Sequence, residues 1–271
     1  MSRSNDNGGE QALKTRKAVS IRESGTQPIA FAHRGGLHRI DGSGRPAESV
    51  GSNGHVAQNS IEAFRRALAA GCEALEADIW PTSDGKAIVY HDAMVRTGLI
   101  FKPSWVAHSG EFGSDVPTLE ELYEECGFDY ELSLDCRVRG AGDLAIQAAR
   151  EAGGAAALSR LWLCSMMPHD LLHWKKLAPE VTTVDSGIVS WPPPVVAARM
   201  HLVARLGVEA FNMHISRWTK GLADLGRKLG MLVLGWGVAN ENDLDKAIEL
   251  DLDGIYSDDI QLLHDFMKSK N

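Results

Sequence analysis

Glu76 and Asp78 stand two residues apart within the apolar run Ala74 to Ile79. On an extended strand that spacing turns both carboxylates to one side, where their charges repel unless a cation joins them. A hard divalent ion such as Mg²⁺ or Ca²⁺ is the simplest partner, because both prefer oxygen ligands. Asp135, in the run Leu132 to Cys136, would be a third ligand, and Arg137 falls on the same side of that run. The alternative is a salt-bridge ring in which Arg34 and Arg137 neutralise the acids. His33 and His91 follow two other short apolar runs, and an imidazole moves protons near neutral pH. A cation together with Arg34 and Arg137 makes a positive pocket suited to phosphate, which arginine grips through a planar fork. Such a pocket also stabilises charge developing on phosphoryl oxygens. The residues therefore suggest an acid cluster, a divalent cation, two proton carriers and an anionic substrate.

These residues need a scaffold that brings the ends of several strands together. Short apolar runs alternate with amphipathic stretches from residue 28 onward. The runs are Ile29 to Ala32, Ala74 to Ile79, Leu132 to Cys136, Leu161 to Cys164, Val181 to Val184, Ala210 to Met213, Leu232 to Gly235 and Gly254 to Tyr256. Helices are expected between them, one capped by Asn59 or Ser60 and another by Thr118 with Glu121 as a capping box. A turn at Asp84-Gly85 and a short strand from Ala87 to Tyr90 follow the second run. About eight strand-helix units predict an α/β fold, a TIM (β/α)₈ barrel, whose chemistry lies at the C-terminal ends of the strands. Asn212, His214, Ser165 and Trp236 also fall at such ends. His214 is read as a capping or structural residue and Ser165 as a possible pocket wall. Asp258 is read as a cap or brace at the barrel mouth, and Trp162, Trp174 and Trp218 as packing residues.

At 271 residues the chain suits one such barrel. Residues 1–28 read as a flexible polar tail and residues 29–271 as a single domain with a short insertion after the second strand. The net charge of -8 argues against a nucleic-acid partner. Cys72, Cys126, Cys136 and Cys164 form no C-x-x-C pair and are expected to be reduced thiols. No apolar run is long enough for a membrane span and no secretory leader pattern is present, so a cytoplasmic location is expected. Oligomeric state leaves no mark in the sequence.

Ala32-His33-Arg34-Gly35-Gly36 resembles the opening motif of the glycerophosphodiester phosphodiesterase family, a branch of the PLC-like phosphodiesterase barrels. Further segments match in order. They are Asn59 to Phe64, Glu76-Ala77-Asp78, Ser83 to Lys86, Val89 to Asp92, Arg96-Thr97, Val116 to Glu121, Gly235 to Val238 and Leu252 to Asp258. The resemblance implies that Glu76, Asp78 and Asp135 hold a divalent cation, Mg²⁺ or Ca²⁺. It also implies that His33 and His91 are the acid-base pair, that Arg34 and Arg137 bind phosphate and that Trp236 lines the pocket. The implied reaction is hydrolysis of a small-molecule glycerophosphodiester to an alcohol and glycerol 3-phosphate.

The chain departs from the family pattern in four places. Ala57-Gln58-Asn59 replaces P-E-N, with Glu48 as a candidate substitute. Asp135 and Arg137 replace E-x-K, the shorter acid being similar to the D-x-K of sphingomyelinase D relatives. The segment Leu37 to Val56 is long and glycine-rich, either a lid or a solvated loop. The insertion from Ala93 to Val116 is short. Two alternative functions follow. One is phospholipase D-like or cyclising lyase activity on a lysophospholipid, which calls for exposed apolar residues near the mouth, with Ile100, Phe101, Trp105 and Trp191 as candidates. The other is an inactive protein that binds a phosphate ligand.

Overall fold

The computed structural model describes residues 28–37 and 56–268. Residues 1–27 of the proposed tail, and residues 38–55 of the candidate lid with Glu48 among them, lie outside them. In chain order the elements are β1 (Ile29–Leu37), α1 (Ile61–Ala69), β2 (Ala74–Pro81), β3 (Ala87–Val89), β4 (Met94–Thr97), β5 (Ile100–Pro103), α2 (Leu119–Cys126), β6 (Glu131–Cys136) and α3 (Arg139–Leu158). There follow β7 (Leu161–Ser165), α4 (Pro168–Leu177), β8 (Thr182–Ser186), α5 (Pro193–Arg205), β9 (Ala210–His214), α6 (Lys220–Lys228), β10 (Leu232–Trp236), α7 (Glu241–Glu249), β11 (Gly254–Asp259) and α8 (Ile260–Lys268).

Strands β1, β2, β6, β7, β8, β9, β10 and β11 pair in parallel in that circular order, and β1–β2 pairing closes the ring. This is the TIM barrel the alternation of runs predicts. Two cores hold it. Between strands and helices lies a continuous apolar layer that includes Phe64, Leu75, Ile79, Leu134, Trp174 and Trp218. Inside the ring, Phe31 stacks on Tyr256 with centroids 4.6 Å apart and meets Trp162 edge-on at 5.5 Å. Trp162 donates its indole N–H to Glu131 at 2.8 Å. This aromatic layer plugs the barrel, so the polar residues above it sit on a solid floor.

Because side chains alternate along a strand, the residues sharing the parity of the plug also face inward. Two residues beyond Phe31 comes His33, beyond Ala74 come Glu76 and Asp78, and beyond Tyr256 comes Asp258. Ser133 hydrogen-bonds the Tyr256 hydroxyl at 3.1 Å, and Asp135 follows two positions on. One period-two pattern therefore builds both the apolar floor and the polar mouth.

The helices begin where the sequence marks them. Ser60 caps α1, its hydroxyl accepting from the Ala63 N–H, and Thr118 and Glu121 form the expected capping box on α2. Each such cap stabilises a helix by about 1 kcal/mol. α3 runs farther than the Leu144 to Ala152 stretch that sequence periodicity suggests, with a break in its helical geometry at Gly154. β2 continues past the mouth and pairs antiparallel with β3. The chain then forms the β4–β5 hairpin, which the sequence reading did not anticipate. Trp105 stacks on Trp80 at 5.3 Å and fastens this insertion to the extended end of β2.

Candidate active site

A cavity of about 320 Å³ opens at the C-terminal ends of the strands. His33, Arg34, Glu76, Asp78, Asp135, Arg137 and Trp236 line it, together with Ser133, Ser165, Asn212 and Tyr256. Strand register explains the gathering. Asp78 and Asp135 are direct Cα partners across β2 and β6, and Glu76 lies one inward step below Asp78.

The turn after β1 is shaped by its backbone. Arg34 adopts φ 53°, and Gly35 and Gly36 follow at φ 77° and 76°. A Cβ on Gly35 would meet Ala63 Cβ at 2.7 Å, and one on Gly36 would meet the Ile260 side chain at 2.2 Å. Left-handed geometry and close helix approach together require glycine at these positions. The strained Arg34 backbone aims its N–H at the Glu76 carboxylate, 2.9 Å away.

The acids already have cationic partners. Arg34 Nε lies 2.8 Å from Asp78 Oδ2, Arg137 Nη2 pairs with Asp78 Oδ1, and Arg137 Nη1 lies 3.1 Å from Asp135. The salt-bridge ring posed as the alternative to a cation is thus formed around Asp78. Among the described residues, no three His, Cys, Asp or Glu side chains make a ready metal cage. Glu76 is served less well. Burial pushes its carboxyl above the usual range, and the charges of Asp78 and Asp135 push it further, against the opposing effect of His33. Burial and the Asp78 charge raise Asp135 too, despite Arg137. The donor set, three hard carboxylates with surplus negative charge, therefore fits a divalent cation chemically, although Arg34 and Arg137 engage Asp78 in this arrangement.

His33 Nδ1 lies 2.7 Å from Asp258 Oδ1, and its Nε2 lies 3.7 Å from Glu76. Asp258 was read from sequence as a cap or brace and was missed as a partner of His33. The pairing follows from register, since Ala32 pairs with Ser257 and the next residue of each strand is His33 and Asp258. Gln58, which stands where the family has an acid, donates to the same Asp258 oxygen at 3.0 Å.

Burial would lower the His33 pKa, but Glu76 and Asp258 outweigh it and raise the ring to about 8 from the ordinary 6.5. Burial opposes ionisation of Asp258, yet the hydrogen bond and charge of His33 hold its pKa below the usual range. The contribution of His33 to stability is therefore fully present below 6.5 and lost as pH rises through about 8. That of Asp258 is present above the ordinary carboxylate range and lost on acidification through its depressed value. Asp258→Asn is expected to lower the His33 pKa, read from the imidazole proton shifts of chelator-treated protein. An unchanged titration would remove Asp258 as the partner.

His91 is placed differently. The neighbouring Tyr90 N–H donates to the Asp78 carbonyl at 3.0 Å, so the backbone reaches the mouth. The ring, however, is 46% exposed, bonds Asp92 at 2.8 Å and does not line the cavity. His214 meets the edge of Trp236 at 4.6 Å and accepts from the Ser216 N–H, the capping role expected of it. Asn212 lines the cavity with a buried side-chain oxygen that has no hydrogen-bond partner.

Residues 33–99, the segment that carries His33, Arg34, Glu76, Asp78 and His91, match the Glycerophosphoryl diester phosphodiesterase family. A glycerophosphodiester phosphodiesterase of Caldanaerobacter subterraneus subsp. tengcongensis is 27% identical over 241 residues, covering 79% of this chain and 93% of that protein. The chain is thus similar to the glycerophosphodiester phosphodiesterase family in the segment that carries these residues, and to one such enzyme along most of its length. Solved structures agree on the barrel. A putative member of the family from Silicibacter pomeroyi superposes with a TM-score of 0.72 at 17% identity, covering 92% of this chain and 96% of that one. An Oleispira antarctica phosphodiesterase, solved with the product sn-glycerol-3-phosphate, gives 0.70 at 18% identity, covering 89% and 97%.

Proposed function

We propose that the chain hydrolyses glycerophosphodiesters to an alcohol and glycerol 3-phosphate. The observation that carries this reading is the convergence of His33, Arg34, Glu76, Asp78, Asp135 and Arg137 on one cavity floor at the strand ends. In the reaction, water oxygen bonds to phosphorus, the bond from phosphorus to the alcohol oxygen breaks, and that oxygen takes up a proton. Arg34 and Arg137 orient the phosphoryl oxygens and neutralise charge that builds on them. His33 and His91 divide the acid and base roles. Asp258 fixes the His33 ring, and His91 joins by turning its exposed ring from Asp92 toward the mouth. Glu76, Asp78 and Asp135 would hold a divalent cation, Mg²⁺ or Ca²⁺, which supplies Lewis-acid polarisation of a phosphoryl oxygen. Trp236 forms part of the wall beside the substrate.

The test is a panel of soluble phosphodiesters, assayed by phosphorus NMR with Mg²⁺ or Ca²⁺ and again after chelation. Turnover of glycerophosphodiesters is expected, lost with chelator and restored by the ion. A persistent cyclic phosphate would replace hydrolysis with cyclisation. Failure to turn over any diester would leave a phosphate-binding protein as the better reading.

A further inference from the structure

The cavity has two unlike walls. Among the described residues, every charged side chain that lines it comes from β1, β2 or β6 and the turn after β6. From β7 to β10 and the turns that follow them, no lining side chain is charged. Ser165, Ser186, Asn212 and Trp236 supply the polar groups there.

Asn212 is the centre of this neutral wall. It follows Ala210 of the interior core by two positions on β9, so its side chain faces inward. β9 lies four places from β2 in either direction around the ring of parallel strands. Asn212 therefore faces Glu76 and Asp78 from the far side of the mouth. Its backbone is pinned on both edges, with Ser186 of β8 and Leu234 of β10 as Cα partners. The Asn212 carbonyl also accepts from the Gly187 N–H at 2.7 Å. The residue is only 9% exposed, yet its side-chain Oδ1 has no hydrogen-bond partner. Buried polar atoms are nearly always paired, and an unpaired one is costly. An acceptor so placed is matched by a donor on the molecule that fills the cavity.

The chemistry of that donor can be narrowed. A phosphodiester carries no proton on its oxygens at neutral pH, and Arg34 and Arg137 draw it to the opposite wall. A cationic head group is drawn to Glu76, Asp78 and Asp135, and a quaternary ammonium has no N–H to donate. A neutral hydroxyl remains, and a glycerophosphodiester carries hydroxyls on its glycerol. At about 320 Å³ the cavity is near the small end of ligand pockets, so a substrate held at the charged wall extends toward β9.

We infer that Asn212 is a specificity-determining residue whose Oδ1 accepts a hydrogen bond from a glycerol hydroxyl while the charged wall holds the phosphodiester. The inference rests on the hydrolase reading above and adds the placement of glycerol against β9. An analogue without hydroxyls would cover the amide oxygen and leave it unpaired, which is how a polar site rejects the wrong substrate.

The test compares two substrates that share choline as leaving group, glycerophosphocholine and n-propyl phosphocholine, using the full chain with Mg²⁺ or Ca²⁺. Wild-type protein is expected to prefer glycerophosphocholine by about 30-fold in kcat/KM. Asn212→Leu is expected to lose about that factor on glycerophosphocholine and to stay within about twofold on n-propyl phosphocholine. Should that variant fail to fold, Asn212→Ala replaces it. Wild-type protein that treats the two substrates alike, or a variant that keeps full preference for glycerophosphocholine, overturns the assignment and leaves hydrolysis standing. Equal losses on both substrates also overturn it, because they mark a structural role. If no diester is turned over, the hydrolase reading fails, and calorimetry with glycerol 3-phosphate and propyl phosphate decides the subsite separately. A preference of about tenfold or more for glycerol 3-phosphate that Asn212→Leu erases supports it. Equal affinities, or binding of neither, overturn it.

Discussion

His33→Ala is expected to lower kcat/KM for a glycerophosphodiester by about 10³-fold, within the range for loss of a positioned proton carrier. That corresponds to about 4 kcal/mol of transition-state stabilisation. The magnitude follows from where the ring sits. Its Nδ1 is held by Asp258 at 2.7 Å, while its Nε2 points toward Glu76 on the cavity floor. A ring anchored at one nitrogen presents the other at a fixed position, and that removes an orientational cost from proton transfer. The side chain is 24% exposed and belongs to neither apolar core, so the fold should survive, with the melting temperature lowered by the loss of its contacts to Glu76 and Asp258. Asp258→Asn should cost less, about tenfold, because it loosens the ring without removing it. Steady-state kinetics with a parallel thermal melt separates the two effects. A loss under tenfold for His33→Ala, with the fold intact, would mean that this imidazole moves no proton in the rate-limiting step. His91→Ala then becomes the decisive comparison, since its ring stands outside the cavity lining.

The barrel was legible because its signal is repeated. Each barrel strand is a short apolar run, several helices start at a capping side chain or a proline, and the ordering of those features leaves few topologies. Glu76, Asp78 and Asp135 were readable as one cluster, since parity and neighbouring strands fix their meeting. The hairpin was not readable. Met94 to Thr97 and Ile100 to Pro103 are four residues each, and their apolar side chains are largely exposed rather than alternating toward a core. Of the four candidates for exposed apolar residues, Ile100, Phe101 and Trp105 are exposed, whereas Trp191 is partly buried against the main core. Trp162, Trp174 and Trp218 are all fully buried, as packing residues should be. Asp258 was missed because its partner lies 225 positions away. The signal was present in the closure of the barrel, where the first and last strands must be neighbours. The choice between a salt-bridge ring and a metal cage depends on side-chain rotamers, which spacing along a chain does not encode.

Asp185→Ala is expected to reduce the unfolding free energy by about 3–5 kcal/mol, the range for removing one member of a buried ion pair. Asp185 on β8 is fully buried and takes contacts from Arg199 of α5, at 3.1 Å from Nε to each oxygen and 2.6 Å from Nη2 to Oδ2. Without the carboxylate, a mostly buried guanidinium loses its counter-charge. The pair is not thereby a large net stabiliser. Burial raises the Asp185 carboxyl above its usual pKa even with Arg199 beside it, so desolvation outweighs attraction there. Replacing both partners by apolar residues, Asp185→Leu with Arg199→Met, should therefore recover most of the loss. The loop between β7 and α4 gives a second readout. Arg199 also donates to the Met166 carbonyl at 2.6 Å, holding the loop that carries Met166 and Met167 beside the cavity. The double replacement should restore stability while leaving that loop more open to amide exchange. Urea unfolding of the three proteins measures the first effect and hydrogen exchange at Met166 and Met167 the second. A loss under about 1 kcal/mol for Asp185→Ala would show that water reaches the guanidinium and solvates it.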